Sequence, residues 1–151
     1  MSIANSAAVP GTSAVIRFDA SQAPESERLA YWIDQVCDAT AAAECEVADR
    51  RRLRGLLEHQ TVADLSINRL HVSEQAFRRT PRHVGAMTDE VFALVLVRSG
   101  EARVEMGSQR VVAHAGDLLI NPGNDPGVMQ LSEGADLLLT EHGAEDLRRA
   151  G

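Results

Sequence analysis

Apolar residues recur with two different periods along the chain, and the change of period separates one helix from a long β-rich region. Between residues 24 and 39 they are spaced by three or four positions, which places Leu29, Ile33 and Val36 on one helical face. Pro24 near the first turn, followed by acidic residues, suits a helix N-terminus. From residue 43 onward apolar and polar residues alternate, as they do in strands that bury one face. The pattern therefore predicts one long helix over 24–39, followed by strands.

Ten segments carry the strand pattern, and clusters of turn-forming residues separate them. The predicted strands are 15–18, 44–47, 53–60, 65–74, 76–80, 91–98, 102–106, 110–114, 117–121 and 135–140. Many short strands at regular spacing, with one helix before them, are typical of an antiparallel barrel or of two packed sheets. We therefore predict a mainly β domain, an antiparallel barrel or double-stranded β-helix with one N-terminal helix packed on it.

The two ends of the chain differ in pattern from the part between them. Residues 1–15 are small and polar, include Pro10-Gly11 and show no periodicity, which predicts a disordered leader. Residues 16–142 form the predicted folded domain, and 143–151 are predicted to begin a short C-terminal helix.

The segment 91–97, with sequence VFALVLV, is apolar on both faces, so both faces of this predicted strand need cover. A helix of about 16 residues is roughly 24 Å long and 10 Å wide, so it covers only part of one sheet face. The remaining apolar surface predicts an interface, and we expect a homodimer. The alternative is that the leader folds over the sheet within one chain.

Composition and charge exclude several classes of protein. The 151 residues suffice for one domain, and a net charge of −7 argues against binding nucleic acid through a basic face. No apolar run approaches the length of a membrane span, and the N-terminus lacks the pattern of a secretion signal. Cys37 and Cys45 form no disulfide framework and are predicted to be small buried apolar residues. We expect a cytoplasmic protein without a membrane partner.

The order of a strand hairpin, a Gly116-Asp117 step, a short apolar strand and a turn at Pro122 resembles that of cupin barrels. Metal-binding cupins carry a His-x-His motif and a further histidine after the proline turn, and this chain has neither. We therefore predict no bound metal, since a divalent site needs three or four converging donors. The sequence also lacks a nucleophile elbow, a P-loop and a dinucleotide-binding fingerprint. No catalytic residue and no cofactor are predicted.

A ligand site, if the chain has one, is expected in the mouth of the barrel. Its predicted lining residues are Arg69, His71, Arg82 and His83, with Phe92 and Leu94 as the apolar wall. Arg69 and His71 share one strand face with Leu65 and Ile67 by parity. The alternative is that Arg69 and His71 face water, because Leu70 and Val72 shift the apolar positions to the other face.

Three motifs in this order resemble the N-terminal sensor domain of AraC-type transcription regulators. They are Glu27-Arg28 with Trp32 in the helix, Arg-Arg-Thr-Pro-Arg at 78–82, and the Gly-Asp-x-x-x-x-Pro turn at 116–122. The resemblance runs from about Phe18 to Arg149. It implies a small cupin-like barrel that dimerises and, in some members, binds a small effector, and it supplies no catalytic residues.

The leading hypothesis is therefore a non-catalytic domain that senses an effector and dimerises. Such regulators read DNA through helix-turn-helix units that follow the barrel, and we expect this chain not to bind DNA alone. Two alternatives remain open. One is a cofactor-independent enzyme, such as an isomerase or cyclase, that uses the barrel cavity, and the other is an oligomerisation or antagonist subunit that pairs with a full-length regulator.

Overall fold

The structure is a computed structural model that describes residues 11–39, 44–85, 91–122 and 124–143. It contains two α-helices, α1 (Arg28–Ala39) and α2 (Pro81–Gly85), and short 3-10 turns at Ala20–Gln22, Glu25–Glu27 and Arg50–Arg52. Its strands are β1 (Ile16–Asp19), β2 (Glu44–Val47), β3 (Gly55–Val62), β4 (Leu65–Val72), β5 (Gln75–Arg79), β6 (Val91–Ser99), β7 (Glu101–Met106), β8 (Gln109–His114), β9 (Leu118–Pro122), β10 (Gly127–Leu131) and β11 (Ala135–Gly143).

The strands form two antiparallel sheets. The larger sheet has the order β1-β3-β4-β11-β6-β9, and the smaller has the order β2-β5-β10-β7-β8. Chain neighbours are often separated within a sheet, as when β11 pairs with both β4 and β6. Consecutive strands also cross between sheets, which gives the double-stranded β-helix arrangement. The prediction of a mainly β, cupin-like barrel is thereby confirmed.

Alternation along each strand decides which side chains enter the space between the sheets. On β4 the buried positions are Asn68, Leu70 and Val72. In the register of the larger sheet, Leu70 lies opposite Leu57 on β3 and Leu137 on β11, and all three are buried. The core therefore consists of side chains from both inner faces. Cys45 is half-buried and packs against this core, whereas the side chain of Cys37 lies outside the described residues.

Helix α1 packs against one end of the barrel through Trp32, which is fully buried. The Trp32 Nε1 donates a hydrogen bond of 2.9 Å to Gln75 Oε1, and its ring packs on Gly55. Gly55 and Gln75 are the first residues of β3 and β5, so the helix lies at the end of the barrel where these strands begin. The indole stays satisfied in the core because the buried amide accepts its N–H.

Most predicted strands agree with the structure to within a few residues, and four details differ. The expected helix begins as a 3-10 turn, Glu25–Glu27, before α1. The strand β10, which begins directly after Pro126, and the short helix α2, which begins at Pro81, were not predicted, because prolines are more typical of turns. Thr12 and Ser13 of the expected leader pair with the end of β3. The rest of the leader before residue 11, and the expected C-terminal helix after Gly143, lie outside the described residues.

The outer face of the larger sheet is charged on one side and apolar on the other. Arg69 forms ion pairs with Glu58 and Asp136, and Arg17 pairs with Glu58. Farther along the sheet lies an outer apolar surface consisting of Ile67, Leu94, Leu96, Leu118, Ile120 and Leu138. Of these, Leu118 is 61% exposed and Ile120 is 69% exposed. No helix in the described ranges is long and apolar enough to cross a membrane.

Candidate functional site

The structure places Arg69 and His71 on the outer face of the larger sheet. Asn68, Leu70 and Val72, which alternate with them on β4, are the buried positions. Arg69 donates hydrogen bonds to Asp136 at 3.2 and 3.0 Å and to Glu58 at 2.9 Å. Arg69 and His71 are thus oriented as the alternative with a shifted apolar face expected. The Arg69 guanidinium forms ion pairs that join β3, β4 and β11.

The other four predicted lining residues are also dispersed. Arg82 is exposed on α2, and His83 Nδ1 accepts a hydrogen bond of 2.9 Å from the Thr80 backbone. Phe92 stacks on His142 with ring centroids 5.1 Å apart, and Leu94 belongs to the outer apolar surface. The structure therefore does not bring the six residues together around the barrel interior. Their role in ligand binding remains a prediction, and a ligand between the sheets would meet different side chains.

A polar cluster does lie on the inner faces, at the end of the barrel away from α1. We define the inner polar cluster as His59, Asn68, Arg79, Asn121 and Glu141. On the larger sheet, Asn121 lies opposite Ala93 and Ala93 opposite Glu141, while His59 lies opposite Asn68 in the adjoining row. Arg79 is the last residue of β5 on the facing sheet and shares the parity of Gln75 and Phe77.

Charge and burial couple the members of this cluster. Burial raises the pKa of Glu141 above its usual value of 4.5, and the charges of Arg79 and His59 oppose that rise. Burial also lowers the pKa of Arg79, against the attraction of Glu141. A partly buried carboxyl and guanidinium therefore influence each other from opposite sheets. Perturbed groups in a concave space are typical of binding sites.

Within the inner polar cluster, His59 and Asn68 are close enough for a hydrogen bond, and Asn121 has an acceptor available to a ligand. His59 Nδ1 lies 2.7 Å from Asn68 Oδ1, so this pair is fixed within the larger sheet. Asn121 Oδ1 is buried and, among the described residues, has no hydrogen-bond partner. Buried polar atoms are paired in the great majority of cases, so an acceptor in this position favours a bound donor.

Asn121 lies on the wall of a cavity of about 580 Å³ between the edges formed by β8 and β9. Its lining combines apolar side chains, such as Val104, Met106 and Leu119, with polar ones, among them Gln109 and Asp125. Its volume is in the range of small-molecule sites, and an apolar lining with a few polar groups is their usual chemistry. The arrangement suits binding and orientation of a small polar molecule.

The described residues do not contain three His, Cys, Asp or Glu side chains close enough together to hold a metal ion. His59, His71 and His83, which are equally spaced in sequence, lie respectively on an inner face, on the outer face and on α2. The prediction that the protein binds no metal remains untested.

Sequence reasoning missed the inner polar cluster for an identifiable reason. Leu137, Leu139 and Glu141 alternate along β11, so Glu141 continues a buried row as a lone carboxylate. Arg79 and its neighbour Arg78 point to opposite faces of any strand, and only the structure shows which of the two faces inward. The signal in the sequence was a row of alternating apolar residues that ends on a charged residue, because charged residues are rarely buried.

Comparison with known proteins agrees with this architecture. Residues 32–141 match the AraC-binding-like domain family. The AraC-like transcriptional activator CuxR has a similar solved structure, with a TM-score of 0.73 and 13% identity over 84% of this chain and 46% of CuxR. The EutQ protein of Clostridium difficile aligns with a TM-score of 0.47 and 13% identity over 62% of this chain and 71% of EutQ.

A curated relative, an uncharacterized protein in the nit 5' region of Bacillus sp. (strain OxB-1), is 21% identical over 112 residues. These are 74% of this chain and 43% of that protein. The chain thus spans less than half the length of either the Bacillus protein or CuxR. Because the family match covers most of the sequence and the fold agrees with that of an AraC-like activator, this chain belongs to the AraC-binding-like domain family.

Proposed function

We propose that this chain is the effector-sensing and dimerising domain of an AraC-type transcription regulator, and that the effector binds at the inner polar cluster. The observation that carries the proposal is that Glu141 and Arg79 both lie partly buried on the inner faces of the two sheets, where apolar side chains form most of the core. Burying charge is costly unless a partner compensates it, so a barrel that only needed a core would place apolar residues there. Family membership supports the same role.

The cavity beside Asn121 supports a small molecule as the effector. Asn121 is in register with Glu141 through Ala93, so we expect a ligand that extends from the cavity along this row to reach both side chains. Strands are about 4.8 Å apart, which places Asn121 and Glu141 roughly 10 Å from each other along the row. That span matches a metabolite of moderate size.

A thermal-unfolding screen with amino acids, sugars, nucleosides and aromatic acids tests the proposal. We expect members of one class to raise the unfolding temperature, because a ligand that binds only the folded state stabilises it. Substituting Ala93→Trp fills the inner row and should abolish the rise. Leu94→Trp, one position along β6 and on the outer face, is the matched control and should retain it.

Two results would contradict the proposal. One is a rise that survives Ala93→Trp in a folded variant, and the other is no response to any class in the screen. Conversion of a responding compound into a product would instead favour the cofactor-independent enzyme. Circular dichroism of both tryptophan variants establishes that they fold.

We further propose that the chain forms a homodimer through the outer apolar surface. Leu118 and Ile120 are more than half exposed there and lie on β9, the last strand of the larger sheet. Contiguous exposed apolar patches usually mark an interface. Helix α1 leaves this surface uncovered, because Trp32 anchors it at the far end of the barrel.

The remaining parts of the proposal concern the regulator as a whole. DNA binding would belong to helix-turn-helix units outside this domain, and the protein would act in the cytoplasm without a metal or cofactor. CuxR is about twice the length that this chain covers, which supports a further domain in such regulators. The antagonist alternative predicts a dimer without a response to any effector.

A further inference from the structure

We propose that the cavity between the edges of β8 and β9 binds an amine with an apolar body, whose ammonium group pairs with Asp125 and donates a hydrogen bond to Asn121. This inference rests on the proposed function, since it names the class of effector for the cavity beside Asn121. It follows from the charge of the lining, from an unpaired acceptor and from an exposed apolar side chain on an inner face.

The cavity lies where an edge of one sheet faces an edge of the other. β8 is the last strand of the smaller sheet, and β9 is the last strand of the larger sheet. A turn at Gly116-Asp117 connects the two strands at one end. The lining residues Gln109 and Asn121 are at the other end, at the start of β8 and near the end of β9. A ligand can therefore enter between the two edges.

The inner face of β8 has an apolar side chain that the described residues leave uncovered. Ala113 is 1% exposed, whereas Val111, which shares its face, is 45% exposed. Val104 lies directly opposite Val111 on β7 and is only 7% exposed. Covering apolar surface is favourable, so the cavity favours a ligand with an apolar body.

The charge of the lining determines which ligands are attracted. Among the described lining residues Asp125 is the only charged one, and it is exposed. Arg110, the basic residue beside Val111 on β8, points to the other face, where its Nε lies 3.5 Å from Glu105 Oε1. The described lining therefore offers a carboxylate to a cation and no basic group to an anion.

Asn121 adds a requirement for a hydrogen-bond donor. Its Oδ1 is buried and has no hydrogen-bond partner among the described residues. A buried acceptor without a partner is costly, and a donor on a ligand removes that cost. A protonated primary amine carries three N–H donors, which suffice for both Asn121 and Asp125. An alcohol has one donor and no charge, so it meets only part of the requirement.

Calorimetric titration with matched ligand trios tests the class on the unmodified protein. Each trio keeps one apolar body, hexyl, cyclohexylmethyl or benzyl, and carries an amine, an alcohol or a carboxylate. The cavity volume of about 580 Å³ accommodates each body. In at least one trio we expect the amine to bind and both other members to bind about tenfold or more weakly. An alcohol or carboxylate that binds as tightly as its amine would overturn the proposal, and so would a lack of binding by all three amines.

Two tryptophan variants test whether the amine binds in the cavity. Val111→Trp fills the cavity from the inner face of β8 and should abolish binding. Val112→Trp is the matched control, because Val112 is 46% exposed on the same strand but on its outer face. Thermal unfolding verifies that both variants are folded. Undiminished binding in folded Val111→Trp would contradict the proposed site.

The role of the charge is tested at Asp125. In Asp125→Asn we expect the amine to bind only as tightly as its alcohol, while the affinity of the alcohol changes little. Glu105→Gln is the control for net charge, because Glu105 lies on the outer face of β7 between the lining residues Val104 and Met106. Equal weakening in both variants would show that the charge of the whole protein, rather than Asp125, attracts the amine.

Asn121→Leu separates a binding role of Asn121 from a structural one. We expect amine binding to weaken about tenfold or more, and the unfolding temperature of the free protein to rise, because the substitution removes an unpaired buried acceptor. A structural role for Asn121 predicts the opposite pattern. A lower unfolding temperature with unchanged amine affinity would therefore exclude Asn121 from the site.

The outcomes separate this inference from the proposed function. If no amine binds, but a compound of another class raises the unfolding temperature and Ala93→Trp abolishes that rise, the amine class is wrong and the sensing role stands. If neither the amines nor any other class binds, both are wrong.

Discussion

At the scale of single residues, the ring of Trp32 packs directly on Gly55. A Cβ placed on Gly55 would lie 2.7 Å from three atoms of the indole ring, which is too close for any pair of carbons. The ring has no room to withdraw, because Trp32 is fully buried and its Nε1 is bonded to Gln75. Glycine is required at position 55 for this contact.

We therefore expect Gly55→Ala to lower the free energy of unfolding by about 1–3 kcal/mol through overpacking. Urea denaturation followed by tryptophan fluorescence measures the loss. Gly85→Ala is the matched control, because a Cβ there meets no heavy atom within 4 Å. A loss at position 55 no larger than at position 85 would show that the helix moves aside freely.

Glu141 makes stability depend on pH in a direction opposite to that of most carboxylates. Its pKa is raised in the folded state by burial, so the native protein binds the proton more tightly than the unfolded chain. Its contribution is fully present below the usual value of 4.5 and is lost as pH rises through the higher folded pKa. We expect Glu141→Gln to become more stable relative to the parent as pH rises from 4.5.

Glu58 supplies the comparison of opposite sign. The Arg17 side chain, followed by Arg69, lowers its pKa by hydrogen bonding. Its contribution is present above the usual value of 4.5 and is lost as pH falls through the lower folded pKa. Unfolding temperatures of Glu141→Gln and Glu58→Gln across pH 3–8 should therefore diverge from the parent in opposite directions. Parallel profiles would contradict the assignment of Glu141 to a desolvated position.

At the scale of elements, a ladder of ion pairs joins four strands across the outer face of the larger sheet. Arg17 on β1, Glu58 on β3, Arg69 on β4 and Asp136 on β11 form it. Asp136 is only 8% exposed, so it depends on Arg69 for compensation. Arg69 thus stabilises the larger sheet by compensating the charge of Asp136.

We expect Arg69→Leu to cost about 2–3 kcal/mol, since it leaves a nearly buried carboxylate without its charged partner. The double variant Arg69→Leu with Asp136→Leu should recover much of the loss, because removing both charges removes the uncompensated one. Arg103→Leu, whose partner Glu101 is on the surface, should change stability by less than about 1 kcal/mol. Denaturant midpoints compare the three. Failure of the double variant to recover would mean that Arg69 acts mainly through packing.

The alternation of apolar and polar residues predicted most strands, because this pattern can be recognised without knowing which strands pair. It did not predict which face of β4 is inside. Leu65 and Ile67 have one parity, Leu70 and Val72 have the other, and the register with β3 and β11 decides between them. The inner polar cluster was not predicted for the same reason, since Arg79 and Glu141 lie on different sheets whose packing the alternation does not show.

At the scale of the whole molecule, the outer apolar surface determines association. We expect the chain to sediment at about twice its mass of 16.3 kDa at micromolar concentration. Ile120→Glu should shift it to the monomer, because a charge buried in an apolar interface has no partner. Val112→Glu, on similarly exposed β8 of the other sheet, is the control and should leave the mass unchanged. A parent protein that sediments as a monomer would refute this interface.

Charge at the same scale governs contact with DNA. The net charge of −7 repels the phosphate backbone, and counterion release from a basic face is what supplies most nucleic-acid affinity. We expect this chain alone to shift no promoter fragment in a gel titration at moderate salt. A specific shift at sub-micromolar protein would contradict that expectation.

The position of Glu141 near the end of β11 has a consequence for the stiffness of that strand. One residue, His142, separates Glu141 from Gly143, the last residue of β11. We expect a ligand that holds the carboxylate also to stiffen this end of β11, because strand ends fray readily and the last pairs of this strand are with β6. The side chain that would contact the proposed effector would thereby also set the stiffness of the last stretch of β11, a central strand of the larger sheet.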